Sequence, residues 1–373
     1  MREKQKGRLP HILMIYVEPT PYIVQLIDLL AKEWSGHTDV FFLFENKSQY
    51  WDLALDRQGQ VLPNSISGRL KLMIKLFQQK KYDAIHIAGW GHPILILFII
   101  LAKMYRVPIS IESDTPIPYD SPQWKRMIKR CFYPLLFSGI QVFLPGGTRQ
   151  ANYFKHYGVK SERIHIAKMT VDILSMQRDA SALTPLDRKQ IRQAFSIEEE
   201  DVVFLFVGRL VEHKGILDLI KTFFSFQDEK SKLLIVGDGP LKDHVEESVK
   251  INSKIRYAGR LKDKQLIEAY FISDVLVLPS HFEPWGLVVN EAMALGKPVI
   301  ISDRVGCADD LVTQKTGRVV KATSMEELQK ALEYMIARAS ERLSMGEESL
   351  KKISNWTLEN EAKIICQAWY QLI

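Results

Sequence analysis

The sequence has few cysteines and no long hydrophobic run. Only Cys131, Cys307 and Cys366 occur among 373 residues, far apart and without the spacing of a metal site. So few thiols exclude a disulfide framework and indicate a reducing compartment. The longest apolar run, residues 94–102, has nine residues, whereas a membrane-spanning helix needs about 20. We therefore expect a cytoplasmic protein with no spanning segment and a buried helix at 94–102.

Neither a signal peptide nor a nucleic-acid-binding module is expected from this sequence. The basic start is followed by a short apolar stretch, 11–17, that runs into Glu18-Pro-Thr-Pro, which is typical of a first strand. No recognised nucleic-acid module accompanies the net charge of +6, so nucleic acid is not an expected partner. With 46% hydrophobic and 25% charged residues, the chain is long enough for two α/β domains.

Positive charge is concentrated in the first half. Residues 1–175 hold 23 Lys and Arg against 14 Asp and Glu, whereas the remainder holds 27 against 30. The excess lies largely in two basic amphipathic stretches, 69–81 and 124–133. Such stretches suit an anionic membrane surface, but each one singly is equally typical of a basic helix face packed on its own core. Peripheral contact with the inner face of an anionic membrane is thus one expectation.

Strand-like and helix-like segments alternate along the chain. Strands are predicted in the first half at 12–17, 40–44, 84–87, 109–111 and 141–144, and in the second at 202–207, 232–236, 255–257, 275–278, 298–301 and 318–320. Their alternation with helices indicates parallel, doubly wound sheets, whose ligands bind beyond the carboxyl ends of the strands. The polar stretch 175–187 is predicted to be a linker.

Residues 279–299 place two carboxylates beside a predicted helix start. The stretch reads PSHFEPWGLVVNEAMALGKPV, which indicates strand, loop, a helix over 287–295, and strand. The first N–H groups of that helix suit an anion or a sugar hydroxyl. Glu291 interrupts an apolar helix, and ribose hydroxyls would satisfy it. Alternatively, Glu283 caps the helix and Glu291 pairs with a Lys or Arg.

Residues 202–215 place two cations after a predicted strand. The stretch reads VVFLFVGRLVEHKG and carries Arg209 and Lys214. A diphosphate needs such groups, Arg as a two-pronged donor and Lys as a compact charge. Each is also typical of an ordinary solvated surface cation.

Four motifs in order resemble the nucleotide-sugar-binding half of the family 4 retaining glycosyltransferases. They are VGRLxxxKG from residue 207, VGDGP from 236, YAGRL from 257 and ExxGLxxxEA from 283. The resemblance implies an α/β GT-B fold, in which two Rossmann-like doubly wound parallel-sheet domains face each other across a cleft. It implies an acceptor-side domain at 1–178, a donor domain at 179–356, and a C-terminal helix at 357–373 that packs back on the first domain.

The same resemblance implies roles in a donor site. Arg209 and Lys214 would neutralise the departing diphosphate, Glu291 would hold ribose hydroxyls, and Glu283 would grip the transferred sugar. No metal and no cofactor is expected, because the nucleoside diphosphate sugar is a substrate and the cations replace a metal ion. Further donor-binding residues implied by the motifs are Gly208, Gly237, Gly239, Leu261, Trp285, Gly286 and Leu287.

Loops after the predicted strands of the first half supply acceptor-side candidates. Trp90 and His92 follow the third strand, Asp114 the fourth and Arg149 the fifth, with Asp114 taken as a catalytic candidate. Loop packing is equally open for Trp90 and His92, and a turn or helix cap for Asp114. Two departures from the family concern this side: the first loop, 17–22, has no glycine pair, and Asp114 stands where many relatives have a histidine.

The function implied is transfer of a hexose-type sugar from a nucleoside diphosphate sugar, most often UDP-linked, with retention of configuration. The acceptor would be a glycan or a lipid-linked precursor of a surface polysaccharide or glycolipid. Two alternatives are a nucleotide-sugar epimerase, which lacks this pair of glutamates, and a glycan phosphorylase, which needs a much longer chain. A third is a non-catalytic nucleotide-sugar-binding subunit, whose motifs would look the same.

Overall fold

The computed structural model describes residues 8–45, 59–79, 81–117 and 122–373. The chain divides into two compact units, one comprising Met1–Met169 with Leu358–Ile373 and the other Thr170–Thr357. Each unit contains its own six-stranded parallel sheet. The domain boundary predicted at residue 178 falls inside a helix of the second unit.

The first unit has the strand order β3-β2-β1-β4-β5-β6, and every pairing is parallel. Its strands β1 to β6 are His11–Tyr16, His37–Phe42, Gln60–Val61, Ala84–Ala88, Ile109–Ser113 and Val142–Pro145. Its helices α1 to α5 are Pro21–Glu33, Ile66–Gln78, Pro93–Met104, Gln123–Ser138 and Thr148–His156. The last helix of the chain, α15, Leu358–Tyr370, also belongs to this unit.

Both faces of the first sheet are buried, because side chains alternate between faces along each strand. Leu13 and Ile15 of β1 join the core that includes α2 and α3. Ile12 and Met14 join the other core, to which α1 and α15 contribute. The buried helix predicted at 94–102 is confirmed as the middle of α3. In the described parts of the chain, no helix has the length and apolarity required to cross a bilayer.

The second unit has the order β12-β11-β10-β7-β8-β9, which is the order of the first sheet read from its other edge. Its strands β7 to β12 are Val202–Val207, Ser231–Val236, Ile255–Tyr257, Val275–Leu278, Val299–Ser302 and Gly317–Val320. Its helices α6 to α14 are Ile173–Ser181, Pro185–Ala194, Ile216–Ser225, Lys242–Ile251, Asp263–Ile272, Leu287–Ala294, Ala308–Leu311, Met325–Ala337 and Ala339–Ile353. The prediction of two doubly wound parallel sheets is confirmed.

The prediction of a linker at 175–187 is wrong. Helix α6 ends at Ser181 and α7 begins at Pro185, so only three residues separate them. The Thr184 side chain accepts a hydrogen bond from the Asp187 backbone, and the Asp187 carboxylate accepts one from the Thr184 backbone. These polar residues therefore form a capping box, and the proline takes the first helical position, where a missing N–H has no cost.

Candidate functional site

The centre of the second sheet brings two loops together. Strands β7 and β10 are neighbours although two strands separate them in sequence. The strand order reverses at this pair, and such a switch point opens a crevice at the carboxyl ends of the strands. The loop after β7 carries Arg209 and Lys214, and the loop after β10 carries Glu283. The two strongest motifs of the sequence thus flank one crevice of the second unit.

Hydrogen bonds hold these two loops in register. The backbone N–H of His281 donates to the carbonyl oxygen of His213 over 2.8 Å. The Lys214 ammonium forms an ion pair with the Glu283 carboxylate. The Glu283 backbone is fixed from its other side, since its N–H donates to Arg304 and its carbonyl accepts from Gly306. Glu283 is therefore an ion-pair partner of Lys214, and the N-cap position of the following helix is Gly286, which has no side chain to form a cap bond.

Several charged side chains of this crevice shift the pKa of His213. Burial lowers the pKa of His213, and Lys214, Arg209 and His281 lower it further, whereas Glu283 raises it. All four groups therefore lie close enough to this imidazole to act on it electrostatically. His281 itself is held by the Asp218 carboxylate, 2.7 Å from its Nε2 atom. The sequence reading did not single out either histidine, because nothing in their spacing distinguishes them from loop residues.

The start of α11 is the second part of the site. Gly286 precedes the helix with φ +100° and ψ +60°, a left-handed conformation that favours glycine. A Cβ atom there would lie 3.0 Å from Cγ1 of Val305 and 3.3 Å from Cδ2 of Leu278. The backbone N–H groups of Leu287 and Val288 open the helix and have no acceptor within it. Binding of an anion or a hydroxyl at this end of α11 remains a prediction, with which the geometry of the helix start is compatible.

Glu291 lies one turn further along α11 and is partly buried. The hydroxyl of Tyr270, a fully buried residue of α10, donates a hydrogen bond to Oε2 of Glu291 over 2.6 Å. Burial raises the pKa of Glu291, and this hydrogen bond partly offsets the rise. The observed partner is thus a tyrosine, where one reading of the sequence expected a Lys or Arg. Tyr270 lies 21 residues away in sequence, so no local pattern indicated it.

Backbone alone forms the edge of the crevice beyond β8. A Cβ atom on Gly237 would lie 1.9 Å from the carbonyl oxygen of Gly208, so the ends of β7 and β8 approach more closely than side chains allow. The Tyr257 hydroxyl donates to the Gly237 carbonyl over 3.0 Å. A Cβ atom on Gly239 would lie 2.7 Å from the carbonyl oxygen of Leu210. Leu261 follows β9 and is partly exposed. These residues keep the predicted donor-binding role as a prediction.

Trp285 was predicted to bind the donor, but its ring points into the second unit. It is 2% exposed and stacks on Trp356 with ring centroids 5.3 Å apart. Its Nε1 donates to the Asn290 side chain, whose Nδ2 in turn donates to the Thr170 hydroxyl. A large aromatic ring with a satisfied N–H is typical of a core residue. Trp285 therefore packs beneath α11 and holds the helix in place.

The candidates of the first unit follow β4, β5 and β6. Trp90 was predicted to face the acceptor, but it is buried among aromatic rings that include Phe137 and Tyr153. Its loop-packing alternative is the one the structure shows. His92 caps α3 by accepting a hydrogen bond from the Ile94 backbone. Asp114 is exposed just after β5, and Arg149 is partly buried in the first turn of α5.

Among residues 8–45, 59–79, 81–117 and 122–373, no three His, Cys, Asp or Glu side chains come together in a way that could hold a metal ion. Within the second unit, the site thus consists of two cations, two carboxylates, a helix start and close-packed glycines. Such a set suits a ligand that combines a phosphate group with hydroxyls.

Residues 187–352 match the sequence model of the family described as glycosyl transferases group 1. An uncharacterized glycosyltransferase of Methanocaldococcus jannaschii is 31% identical over 135 residues, which cover 35% of this chain and 35% of that protein. The capsular polysaccharide biosynthesis glycosyltransferase CapM of Staphylococcus aureus is 28% identical over 177 residues, 46% of either chain. The match therefore spans between a third and a half of these relatives.

HepE from Anabaena, solved in complex with UDP, superposes with a TM-score of 0.80 at 18% identity. The superposition covers 97% of this chain and all of HepE. An identity this low shows a shared fold and nothing further. The fold class is the GT-B class predicted from the motifs, since the chain superposes on this structure and each unit has a six-stranded parallel sheet of the same topology.

Proposed function

We propose that this chain, whose residues 187–352 match the glycosyl transferases group 1 family, is a glycosyltransferase that transfers a hexose-type sugar from a UDP-linked donor with retention of configuration. The acceptor in this proposal is a glycan or lipid-linked precursor of a surface polysaccharide or glycolipid. Two similarities support the proposal, to a protein solved with UDP and to one of capsular polysaccharide biosynthesis.

One observation carries the proposal: Arg209, Lys214 and Glu283 lie on the two loops that flank the switch point of the second sheet, beside the start of α11. When the bond between sugar and diphosphate breaks, negative charge develops on the leaving phosphate. Fixed cations already in place stabilise that charge without reorganisation, which is how they lower a barrier. Arg209 and Lys214 supply this charge in the proposed reaction, so no metal ion is required.

The carboxylates have separate tasks in this proposal. Glu291 accepts hydrogen bonds from the ribose hydroxyls, and its second oxygen keeps the Tyr270 partner. Glu283 and the first N–H groups of α11 bind hydroxyls of the transferred sugar. Because Lys214 is paired with Glu283, a diphosphate that binds Lys214 also makes the Glu283 carboxylate available to the sugar. Asp114, His92 and Arg149 remain the acceptor-side candidates of this proposal.

The test combines binding and turnover. Purified full-length protein is screened by thermal shift against a panel of nucleoside diphosphate sugars, because a specific ligand raises the melting temperature by mass action. The best donor is then assayed for transfer and for hydrolysis, in the presence and absence of EDTA. We expect a UDP-sugar to stabilise the protein, and Arg209→Ala to lower turnover by about 10²-fold or more.

Unchanged turnover in the Arg209→Ala variant would remove the proposed role of that residue. Activity abolished by EDTA and restored by a divalent ion would overturn metal independence. UDP binding without transfer to any acceptor in a broad panel would instead favour a nucleotide-sugar-binding subunit.

A further inference from the structure

Helix α4 places its apolar stripe in solvent. Side chains spaced three and four residues apart share one side of a helix, and on a globular protein that side ordinarily faces the core. In α4 the stripe is exposed: Trp124 is 60%, Met127 69% and Leu135 70% exposed. Ile128 and Phe132 complete the stripe and are also exposed. The described structure leaves this apolar surface without a protein neighbour large enough to bury it.

The helix is fastened to the first unit only near its C-terminal end. Leu136 and Phe137 are its buried residues. The ammonium of Lys103, from α3, donates to the carbonyl oxygens of Leu135 and Leu136 over 3.1 and 2.7 Å. The preceding turns, from Gln123 to Phe132, lie almost entirely at the surface. The exposed stripe is therefore on a firmly anchored helix with a projecting first half.

Helix α2 holds the other basic stretch of the sequence and behaves differently. Its apolar residues Met73, Leu76 and Phe77 are buried in the core of the first unit. Its lysines at 71 and 75 are exposed on the opposite side. For α2, the basic-face alternative of the sequence is thus the one observed. Among the described residues, α2 still exposes Ile66 and Leu70 beside Lys71, whereas α4 exposes a continuous stripe of five large apolar side chains together with its cations.

The charge of α4 indicates what covers the stripe. The helix carries Lys125, Arg126, Lys129 and Arg130 and contains no Asp or Glu. Lys125 flanks the stripe, with its Nζ atom 5.4 Å from the centroid of the Trp124 ring. A second copy of the chain, docked stripe to stripe, would bring two such sets of cations together without any acid from α4 to offset them. An anionic lipid surface accepts the apolar side chains and attracts the cations at once.

We propose that α4 is a membrane-docking helix, which inserts Trp124, Met127, Ile128, Phe132 and Leu135 into an anionic bilayer surface while its cations contact the headgroups. This inference rests on the proposed function, because α4 would bring the enzyme to the membrane that holds a lipid-linked acceptor. Its test measures vesicle binding rather than sugar transfer, so the two proposals can fail separately.

The test is flotation of the full chain with vesicles of phosphatidylcholine alone or with added phosphatidylglycerol. We expect wild type to float with the anionic vesicles only. Met127→Ser with Leu135→Ser should weaken partitioning by about tenfold or more, because both side chains lose their apolar contribution. Lys125→Gln with Arg130→Gln should weaken it about fivefold for each charge at low salt. The matched control, Lys71→Gln with Lys75→Gln on α2, should retain most of the wild-type binding.

Cys131 provides an independent measurement, since it is the exposed cysteine and lies within the stripe, whereas Cys307 and Cys366 are buried. An environment-sensitive dye on Cys131 should shift its emission to the blue with anionic vesicles and not with phosphatidylcholine. The proposal is overturned if wild type stays with the soluble fraction, if the serine variant binds as wild type does, or if the dye does not respond. Sedimentation showing a dimer that the serine variant abolishes would assign the stripe to a second copy instead.

Discussion

At the scale of single residues, the two carboxylates of the site differ in their partners. Glu283 pairs with a cation that the sequence had already placed in the same site. Glu291 depends on Tyr270, which reaches it from another helix. The sequence could predict the acids and cations, because each stands at a fixed offset from a strand end. It could not predict the tyrosine, because the contact exists only once α10 packs against α11.

Tyr270→Phe should weaken UDP binding and make it more sensitive to acid. Burial raises the pKa of Glu291 and the Tyr270 hydrogen bond lowers it, so losing the bond raises that pKa further. A carboxylate with a raised pKa is charged at high pH and loses its charge as the pH falls through that pKa. The acid-side loss of UDP affinity should therefore move to higher pH, measured by calorimetric titration at several pH values. An unshifted profile would contradict the role of Glu291.

Lys214→Met should lower turnover about 10²-fold, as expected for losing one cation from a transition-state site. It should also lower the free energy of unfolding by about 1–3 kcal/mol, because the mostly buried Glu283 loses its partner. The double variant with Glu283→Gln should regain stability but not turnover. Urea denaturation and a transfer assay measure the two effects. Recovery of turnover in the double variant would show that Lys214 acts only on Glu283.

At the scale of elements, strand predictions were most accurate where the strand is a buried apolar run. The predicted strands 202–207, 255–257 and 275–278 coincide with β7, β9 and β10, since an apolar run bounded by polar residues leaves little choice. Strand β2 begins three residues earlier than predicted, because its first residues, from His37, are polar. The prediction of a linker at 175–187 was wrong because helix caps and loops use the same residue types. Ser, Thr, Asp and Pro begin helices as readily as they form linkers.

Gly286→Ala should reduce both stability and donor binding, whereas Gly296→Ala should reduce stability alone. Both glycines flank α11 with positive φ, +100° and +68°. Each substitution has a backbone penalty of about 1–3 kcal/mol. Only at Gly286 would the added methyl group also press on Val305 and shift the N–H groups that face the ligand. Denaturation curves and UDP titration separate the two effects. Equal loss of affinity in both variants would contradict a binding role for the helix start.

At the scale of the whole molecule, the fold could be predicted from the sequence. Which side of each basic helix faces solvent could not. Four ordered motifs indicated the fold, and both sheets have the predicted parallel topology. The two basic stretches were indistinguishable in sequence, since amphipathic patterns do not state which side faces inward. Only the packing of α2 and α4 separates them. Helix α15 likewise completes a core that begins more than 300 residues earlier in the sequence.

Trp369→Ala should destabilise the first unit while leaving UDP affinity unchanged. Trp369 is fully buried against Trp34 and donates to the Ser110 hydroxyl over 3.0 Å. Removing such a ring typically costs about 3–5 kcal/mol. The residues of the proposed donor site lie in the other unit, which has its own core. Calorimetric unfolding and UDP titration below the transition test this, with the exposed neighbour Gln367→Ala as control. Lost affinity in Trp369→Ala alone would contradict the assignment of the site to the second unit.

Helix α15 also determines when the first unit can complete its core during synthesis on the ribosome. The strands of the first unit emerge first, yet part of the cover for Ile12 and Met14 is made by α15, which is translated after the whole second unit. The second unit, in contrast, is one uninterrupted segment and can close before α15 is translated. A nascent chain arrested just before residue 358 would therefore expose the apolar face of its oldest sheet. Synthesis of α15, and not the passage of the first unit's strands through the exit tunnel, is the event that allows this fold to close.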